Sequence, residues 1–152
     1  MIDLFEELAT LVAELDSAGV EYALCGGLAM AIWDLPRATV DIDLLIRRES
    51  VPAIEAIGER HGYIFKAGPM RFSEGAIEIH RISKADRETG DMLMLDLLLV
   101  TPQVEDVWET RERVAWEGGS LVVVSRDGLI KLKSYRSSGR DLDDIRRLRG
   151  EQ

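Results

Sequence analysis

Apolar residues recur at two different spacings along the chain, and the spacing predicts the type of each element. Apolar positions three and four residues apart between residues 2 and 15 indicate an amphipathic helix, which Gly19 is placed to end. Shorter stretches rich in β-branched and apolar residues, such as residues 39–46, indicate strands. We therefore expect an α/β (α+β) fold, a mixed β-sheet flanked by helices and ending in C-terminal helices.

Glycine, proline and polar residues divide the rest of the chain into short elements. The predicted helices cover residues 2–15, 28–33, 50–62, 102–110, 125–135 and, after a break at 137–139, 141–148. The predicted strands cover residues 22–25, 39–46, 63–66, 76–82, 92–100, 113–116 and 121–124. Strands 76–82 and 92–100 are expected to pair antiparallel, and the turn 117–120 is expected to close a hairpin.

No long linker or internal repeat interrupts this series of elements. We therefore expect residues 1–152 to form a single domain, with a core of about 20–100 and a C-terminal helical element of about 125–150.

Charge is distributed unevenly along the chain, whose net charge is −9. Residues 1–125 carry 11 basic and 23 acidic side chains, a net of −12, whereas residues 126–150 carry 8 basic and 4 acidic ones, a net of +4. A cationic patch on an acidic protein can still bind phosphate, because salt screens charges beyond about 8–10 Å. The basic segment is therefore either a phosphate-binding surface or a solvated helix face.

The composition indicates the cellular compartment and argues against a membrane span, an internal disulfide and a four-ligand zinc site. No apolar run reaches the roughly 18–20 residues of a membrane span, and the acidic first residues do not resemble a secretory signal. We therefore expect a cytoplasmic protein without membrane contact. The single cysteine, Cys25, cannot form an internal disulfide or supply a four-ligand zinc site, so core packing must stabilise the fold.

Two acidic residues in one predicted strand are the first chemical signal. Asp41 and Asp43 are two positions apart, so their side chains project from one strand face, about 6.5–7 Å apart along the chain. Their neighbours are apolar, and two carboxylates in such surroundings repel each other. Because Mg²⁺ prefers carboxylate oxygens and completes its shell with water and substrate phosphates, we expect one or two Mg²⁺ ions here, with Mn²⁺ as a possible substitute.

A glycine pair and a third carboxylate extend this signal. Gly26 and Gly27 lie between a predicted strand and a predicted helix, where backbone N–H groups can approach a phosphate closely. Asp96 lies inside an otherwise apolar strand, and it completes a triad if that strand lies beside Asp41 and Asp43. Three carboxylates with a phosphate-binding turn are suited to phosphoryl-group chemistry.

Some of these residues have a second interpretation that the sequence leaves open. Asp96 can instead form a buried salt bridge, with Arg37 or Arg81 as its partner. Arg37 and Thr39, just before the acidic strand, either contact phosphate or metal-bound water or simply pack in a turn.

The combination of Gly26 and Gly27 with Asp41, Asp43 and an isolated Asp96 resembles the nucleotidyltransferase superfamily related to DNA polymerase β. The resemblance covers about residues 20–100. It implies transfer of a nucleoside monophosphate from an NTP to a hydroxyl acceptor. It also implies that the three aspartates are catalytic metal ligands, that Asp96 bridges to the acceptor hydroxyl, and that the glycines hold the triphosphate.

The predicted C-terminal helices resemble those of one group within this superfamily. Residues 127–133, followed by 139–141 and 144–145, are similar to the trailing helices of nucleotidyltransferase toxins from abortive-infection (type IV) toxin–antitoxin systems. By this resemblance Lys131 and Arg140 face the nucleotide phosphates, and Asp141 or Asp144 supports the site. The resemblance implies RNA or protein as the acceptor and an antitoxin protein or RNA as a partner, with a homodimer as a further option.

Two other functions compete with a toxin-like role. In its size and its paired glycines, where many members of the superfamily have Gly-Ser, the chain resembles the short lincosamide and aminoglycoside nucleotidyltransferases, which modify an antibiotic. A non-catalytic relative would instead bind a nucleotide or a protein partner without turnover. The sequence does not decide among these three.

Overall fold

A computed structural model describes residues 3–116, 119–136 and 138–150 of the chain. The helices are α1 (Leu4–Ser17), α2 (Gly26–Ile32), α3 (Val51–Arg60), α4 (Glu105–Glu109), α5 (Arg126–Arg136) and α6 (Gly139–Leu148). The strands are β1 (Ala23–Cys25), β2 (Asp41–Ile46), β3 (Phe65–Phe72), β4 (Ile77–Ala85), β5 (Met92–Leu99), β6 (Glu112–Trp116) and β7 (Gly119–Val123). This succession of elements confirms the predicted fold class.

The seven described strands form one mixed sheet in the order β3-β4-β5-β2-β1-β7-β6. The pairs β2 with β5 and β1 with β7 are parallel, and the other neighbours are antiparallel. The expected antiparallel pair β4–β5 and the β6–β7 hairpin are confirmed. Of the predicted turn, Glu117 and Gly118 lie outside the described residues, whereas Gly119 and Ser120 belong to β7 because Gly119 pairs with Trp116.

Side-chain caps fix the first turns of two helices. The Asp3 carboxylate accepts hydrogen bonds from the backbone N–H groups of Phe5 and Glu6 and so begins α1. Ser138 and Asp141 cap α6 reciprocally, since the Ser138 hydroxyl accepts from the Asp141 N–H and the Asp141 carboxylate accepts from the Ser138 N–H. The predicted break before α6 includes Ser137, which lies outside the described residues.

One face of the sheet packs against α1 and α3. Gly58 of α3 lies so close to Ile82 of β4 that an added Cβ would be 2.7 Å from the Ile82 Cδ1. Lys84, two residues further along the same strand face, donates a hydrogen bond to Glu7 of α1. The apolar stripe of α1 is buried, as its three- and four-residue periodicity predicts; it consists of Leu8, Leu11, Val12 and Leu15.

The opposite face of the sheet packs against α5. Leu98 of β5 and Leu129 and Leu132 of α5 line a small cavity that also contacts Asp43. Asp43 therefore projects from the sheet toward the C-terminal helices, and the acidic end of β2 opens between the sheet and α5.

Several predicted strand boundaries differ from the structure; for example, the strand predicted at 76–82 is β4, which continues to Ala85. The strand predicted at 63–66 is β3, which begins at Phe65 and continues to Phe72, because a register shift between Ala67 and Met70 accommodates the intervening Gly-Pro pair while β3 stays paired with β4. The strand predicted at 39–46 begins at Asp41, so Thr39 precedes it.

None of the helices in the described part of the chain combines the length and the apolar character needed to cross a membrane.

Candidate active site

Parallel pairing of β2 with β5 brings the three predicted carboxylates to one cleft. Asp43 and Asp96 are opposite each other in the strand register, and Asp41 lies two residues before Asp43 on the same strand face. The cleft that they line has a volume of about 290 Å³. Its other lining residues are Gly26, Gly27, Arg37, Thr39, Val40, Arg81, Lys133, Arg136, Ser138, Arg140 and Asp141. Strand register thus joins acidic residues that are 53 positions apart in sequence.

Burial and mutual repulsion destabilise the charged forms of Asp41 and Asp43. Desolvation raises the pKa of Asp43 to about 7, and the nearby charges of Asp96 and Asp41 add to the shift. The pKa of Asp41 is also raised, by desolvation first and by repulsion from Asp96 second. Oδ1 of Asp41 is buried and has no hydrogen-bond partner among the described residues. Nearby cations such as Arg136 offset these shifts only in part. A buried carboxylate oxygen without a donor is costly, so Asp41 lacks a directly bound positive partner.

Asp96 has such a partner in Arg81. The Arg81 Nε and Nη2 donate to the two Asp96 carboxylate oxygens at 2.7 and 2.9 Å. Arg81 lies directly opposite Asp96 across β4 and β5. Both interpretations of Asp96 therefore apply in part, since it lies beside Asp43 in the cleft and forms one of the two salt bridges considered from the sequence.

Asp41 and Asp43 are the residues that fit a magnesium ion. Among the described residues, no three His, Cys, Asp or Glu side chains are arranged to hold a metal ion together. Mg²⁺ needs only one or two protein carboxylates, because water and substrate phosphates supply its remaining ligands. The unpartnered oxygen of Asp41, next to Asp43 with its raised pKa, meets that requirement, whereas Arg81 occupies Asp96.

The glycine pair is required by the close approach of the acidic strand. Gly26 has a φ of +67°, and a Cβ on it would lie 2.0 Å from Oδ2 of Asp43. A Cβ on Gly27 would lie 2.7 Å from the Thr39 Oγ1. The two glycines form the first turn of α2, which begins at Gly26 and not at residue 28 as predicted. Any side chain at either position would push into the cleft, so this glycine turn and the carboxylates form one compact unit.

The lysine that lines the cleft is Lys133 and not Lys131. Lys131, predicted to face nucleotide phosphates, donates to both carboxylate oxygens of Asp106 at 2.8 and 2.9 Å and does not line the cleft. Lys133 is 5% exposed and donates to Asp144 at 2.8 Å. Two positions on a helix differ by about 200° in direction, so only one of the two lysines can face the sheet. The sequence did contain a signal for this choice, because Lys133 lies four residues after the apolar Leu129 and therefore on the same face of the helix.

Asp144 holds two cations against the glycine side of the cleft. Its Oδ2 accepts hydrogen bonds from the Arg37 Nε at 2.9 Å and from the Lys133 Nζ at 2.8 Å. Asp144 itself is 2% exposed. The buried carboxylate therefore orients Arg37 and Lys133, which both line the cleft.

The α5–α6 junction supplies the remaining charged rim of the cleft. Arg140, predicted as a phosphate contact, lines the cleft together with Arg136, which the sequence analysis missed. The Arg136 guanidinium lies 5.6 Å from the centre of the Phe72 ring, so β3 helps to position it. Asp141 also lines the cleft, where it caps α6 through Ser138.

Comparisons of the sequence identified no matching family model and no matching curated protein. Comparison of the fold identified nucleotidyltransferases. TM1012 of Thermotoga maritima, provisionally assigned as a nucleotidyltransferase, superposes with a TM-score of 0.63 at 17% identity, over 97% of this chain and 93% of that one.

Two antibiotic-modifying enzymes are similar in fold as well. The lincosamide antibiotic adenylyltransferase LnuA, solved with lincomycin, matches with a TM-score of 0.64 at 14% identity, over 97% of each chain. ANT(2")-Ia, solved with adenylyl-2"-tobramycin, matches with a TM-score of 0.64 at 15% identity, over 94% of this chain and 86% of that one. At these identities the similarity is one of fold.

Proposed function

We propose that this chain, which has the nucleotidyltransferase fold, is a metal-dependent enzyme that transfers a nucleoside monophosphate from an NTP to a hydroxyl group. The observation that carries the proposal is the unpartnered, buried oxygen of Asp41 beside Asp43, whose pKa is raised and whose carboxylate packs directly against the glycine turn. A purely structural pair of carboxylates would have basic partners, as buried charges generally do.

The proposed reaction divides its tasks among the cleft residues. The acceptor oxygen attacks the α-phosphorus, the bond from that phosphorus to the oxygen bridging to the β-phosphate breaks, and pyrophosphate leaves with the electron pair. Asp96 accepts the proton of the acceptor hydroxyl. Asp41 and Asp43 would hold Mg²⁺ or Mn²⁺, which when bound neutralises charge on the phosphates and makes the hydroxyl easier to deprotonate.

Phosphate binding is assigned to the side of the cleft nearest the glycine turn. The backbone of Gly26 and Gly27 can approach an anion closely because neither residue has a side chain. Lys133 and Arg37, both oriented by Asp144, place positive charge beside them. Arg140 adds a cation at the rim. This arrangement suits a triphosphate better than a single phosphate, because the cations are spread along the cleft.

The acceptor is best assigned to the same sheet face, on the side of the carboxylates away from the glycine turn. Met94 is paired with Asp41 and with Ser83, and Phe65 is paired with Ser83, so these side chains share the face of the carboxylates. Phe65 is 51% exposed and Met92, two residues before Met94, is 46% exposed. We therefore assign the acceptor as a small hydroxyl compound with an apolar part that packs against these side chains.

A macromolecular acceptor, as in a toxin-like enzyme, is the second candidate. It is favoured by the net charge of +4 over residues 126–150, whereas the net of −12 over residues 1–125 repels a long RNA. Labelling separates the two candidates. Each α-labelled NTP is incubated with the protein, Mg²⁺ and a fractionated cell lysate, and label in the small-molecule fraction supports the first candidate while label on RNA or protein supports the second.

Pyrophosphate release tests the proposed activity itself. The wild type is expected to release pyrophosphate only with Mg²⁺ or Mn²⁺ present, and Asp41→Asn is expected to stop it. Asp106→Asn, which removes a carboxylate exposed outside the cleft, is the matched control and should keep turnover unchanged. The assay contains the lysate fractions as a source of acceptor. If the protein binds nucleotide in calorimetry but releases no pyrophosphate with any fraction, it is a non-catalytic nucleotide-binding protein.

A further inference from the structure

Arg81 is the exposed member of the ion pair that occupies Asp96. The Asp96 side chain is 3% exposed and the Arg81 side chain 31%. Arg81 uses two nitrogens, at 2.7 and 2.9 Å, to cover both oxygens of Asp96. Because the two residues are directly paired across β4 and β5, rigid strand register sets this contact.

This ion pair conflicts with the proposed role of Asp96. A carboxylate whose two oxygens both accept from one guanidinium is a poor proton acceptor and a poor metal ligand, because the positive charge already satisfies it. The neighbouring Asp41 has no such partner. The cleft therefore has two carboxylates without a hydrogen-bonded basic partner and a third, Asp96, that is paired with Arg81.

A triphosphate is a suitable competitor for the blocking arginine. Guanidinium groups bind phosphate and carboxylate in the same two-pronged geometry, so one paired contact can be exchanged for another at small net cost. Arg81 lines the same cleft as the glycine turn and Lys133, where the proposed function places the phosphates. We infer that Arg81 is a nucleotide-responsive lock, which holds Asp96 until a triphosphate draws the guanidinium away and frees the carboxylate. This inference rests on the proposed nucleotide-binding function of the cleft.

Binding of inorganic tripolyphosphate in EDTA, measured by calorimetry, tests the lock from the phosphate side. In Asp96→Asn the guanidinium has lost its charged partner, so tripolyphosphate should bind at least about fivefold more tightly than to the wild type. Asp41→Asn removes the same charge from the same cleft without freeing Arg81, so its gain should be less than about twofold. Equal gains in the two variants would mean that only the net charge of the cleft changed, and would overturn the lock.

Binding of Mn²⁺ without any phosphate, followed by electron paramagnetic resonance, tests the lock from the metal side. Arg81→Gln should bind Mn²⁺ at least about fivefold more tightly, because Asp96 becomes free to join Asp41 and Asp43. Arg136→Gln removes a cation from the same cleft that does not contact Asp96, and its gain should stay below about twofold. Arg81→Lys keeps the charge but not the two-pronged contact, so its Mn²⁺ affinity should lie between those of the wild type and Arg81→Gln. If Arg81→Gln does not fold, Arg81→Lys is compared with Arg136→Gln instead. An Arg81 effect no larger than that of Arg136→Gln contradicts the inference.

Neither measurement involves turnover, so the two proposals can fail separately. If the wild type releases no pyrophosphate but the variants bind tripolyphosphate and Mn²⁺ as expected, the lock is supported and the transferase activity is rejected. A wild type that turns over while its Asp96 and Arg81 variants behave like their controls retains the activity and loses the lock.

Discussion

Buried carboxylates lie on both faces of the sheet, in opposite surroundings. On the face of α1 and α3, Glu78 of β4 accepts hydrogen bonds from Arg48 at 3.1 and 3.2 Å, from Arg71 at 3.2 Å and from His80 at 3.0 Å. The hydrogen bond from Arg48 is the largest cause that holds the pKa of Glu78 at about 2. On the face of α5, desolvation and two neighbouring aspartates raise the pKa of Asp43 to about 7.

The contrast separates a structural acidic residue from a candidate functional one. Glu78 is buried and Asp43 is half-buried, and both lie on strands of the same sheet. Glu78 is surrounded by the positive charge that its burial requires, so the fold gains from its ionised form. Asp41 and Asp43 project from the same strand face beside Asp96 and lack equivalent partners. The fold alone does not explain them, whereas the proposed bound cation would.

The largest expected difference in turnover is between two variants that each neutralise one acidic residue, one on each face of the sheet. Asp43→Asn should lower pyrophosphate release by about 1,000-fold or more, because it removes a proposed metal ligand. Glu78→Gln should leave turnover within about threefold, since its ion pairs lie on the other face. Both rates are measured at saturating Mg²⁺ on variants shown by circular dichroism to be folded. Comparable losses in the two variants would remove the distinction between the faces.

The glycine turn gives the next largest effect. Gly26→Ala should lower turnover by about 100-fold, because the new Cβ would meet Oδ2 of Asp43. Gly19→Ala is the matched control, since its φ of +69° is close to the +67° of Gly26 but an added Cβ contacts nothing within 4 Å. Both variants carry the same backbone strain, about 1 kcal/mol, so only the difference in turnover reports on the site. A Gly26→Ala protein as active as Gly19→Ala contradicts the close packing of turn and carboxylate.

The two lysines of α5 provide a smaller effect. Lys133→Gln should weaken NTP binding by about 30-fold, because the positive charge beside the glycine turn is lost. Lys131→Gln should change it by less than about twofold, since Lys131 pairs with Asp106 outside the cleft. Calorimetric titration with ATP and Mg²⁺ measures both affinities. Weakening by the Lys131 variant alone would restore the assignment made from the sequence.

The smallest expected effect is on stability. The folded-state pKa of Asp43 is about 7, above its ordinary value of 3.8, so between these pH values the folded protein holds a proton that the unfolded chain releases. Without metal, this contribution therefore weakens folding as the pH rises from about 4 to 7. Asp43→Asn should consequently raise the free energy of unfolding in EDTA by about 1–2 kcal/mol near pH 8.

Glu78 should show the opposite dependence. Its folded-state pKa of about 2 lies below its ordinary value of 4.5, so its stabilising contribution is present above about pH 4.5 and is lost as the pH falls toward 2. Urea unfolding of the wild type, Asp43→Asn and Glu78→Gln across this range measures both. The expectation fails if Asp43→Asn is no more stable than the wild type near pH 8.

Local spacing was enough to predict much of the site. Asp41 and Asp43 were placed on one strand face from their two-residue separation, and the mixed sheet followed from the alternation of elements. Asp96 stood out because a single charge interrupts an apolar strand. Such signals are readable because they depend only on the period of a strand and on the cost of burying charge.

Features set by helix phase and strand pairing were harder to predict. The choice of Lys133 over Lys131 depends on which side of α5 faces the sheet. Arg81 was one of two partners considered for Asp96, and only the β4–β5 register decides between them. The ion pairs that Asp144 makes with Arg37 and Lys133 cross 107 and 11 positions of sequence, a distance that no local pattern reveals.

Metal binding tests the central claim most directly. Mn²⁺ titrations followed by electron paramagnetic resonance should show one or two bound ions in the wild type and in Glu78→Gln, and a loss of at least about tenfold in affinity in Asp41→Asn and Asp43→Asn. Equal Mn²⁺ affinity in all four proteins would contradict the account, because the acidic end of β2 would then not be where the cation binds.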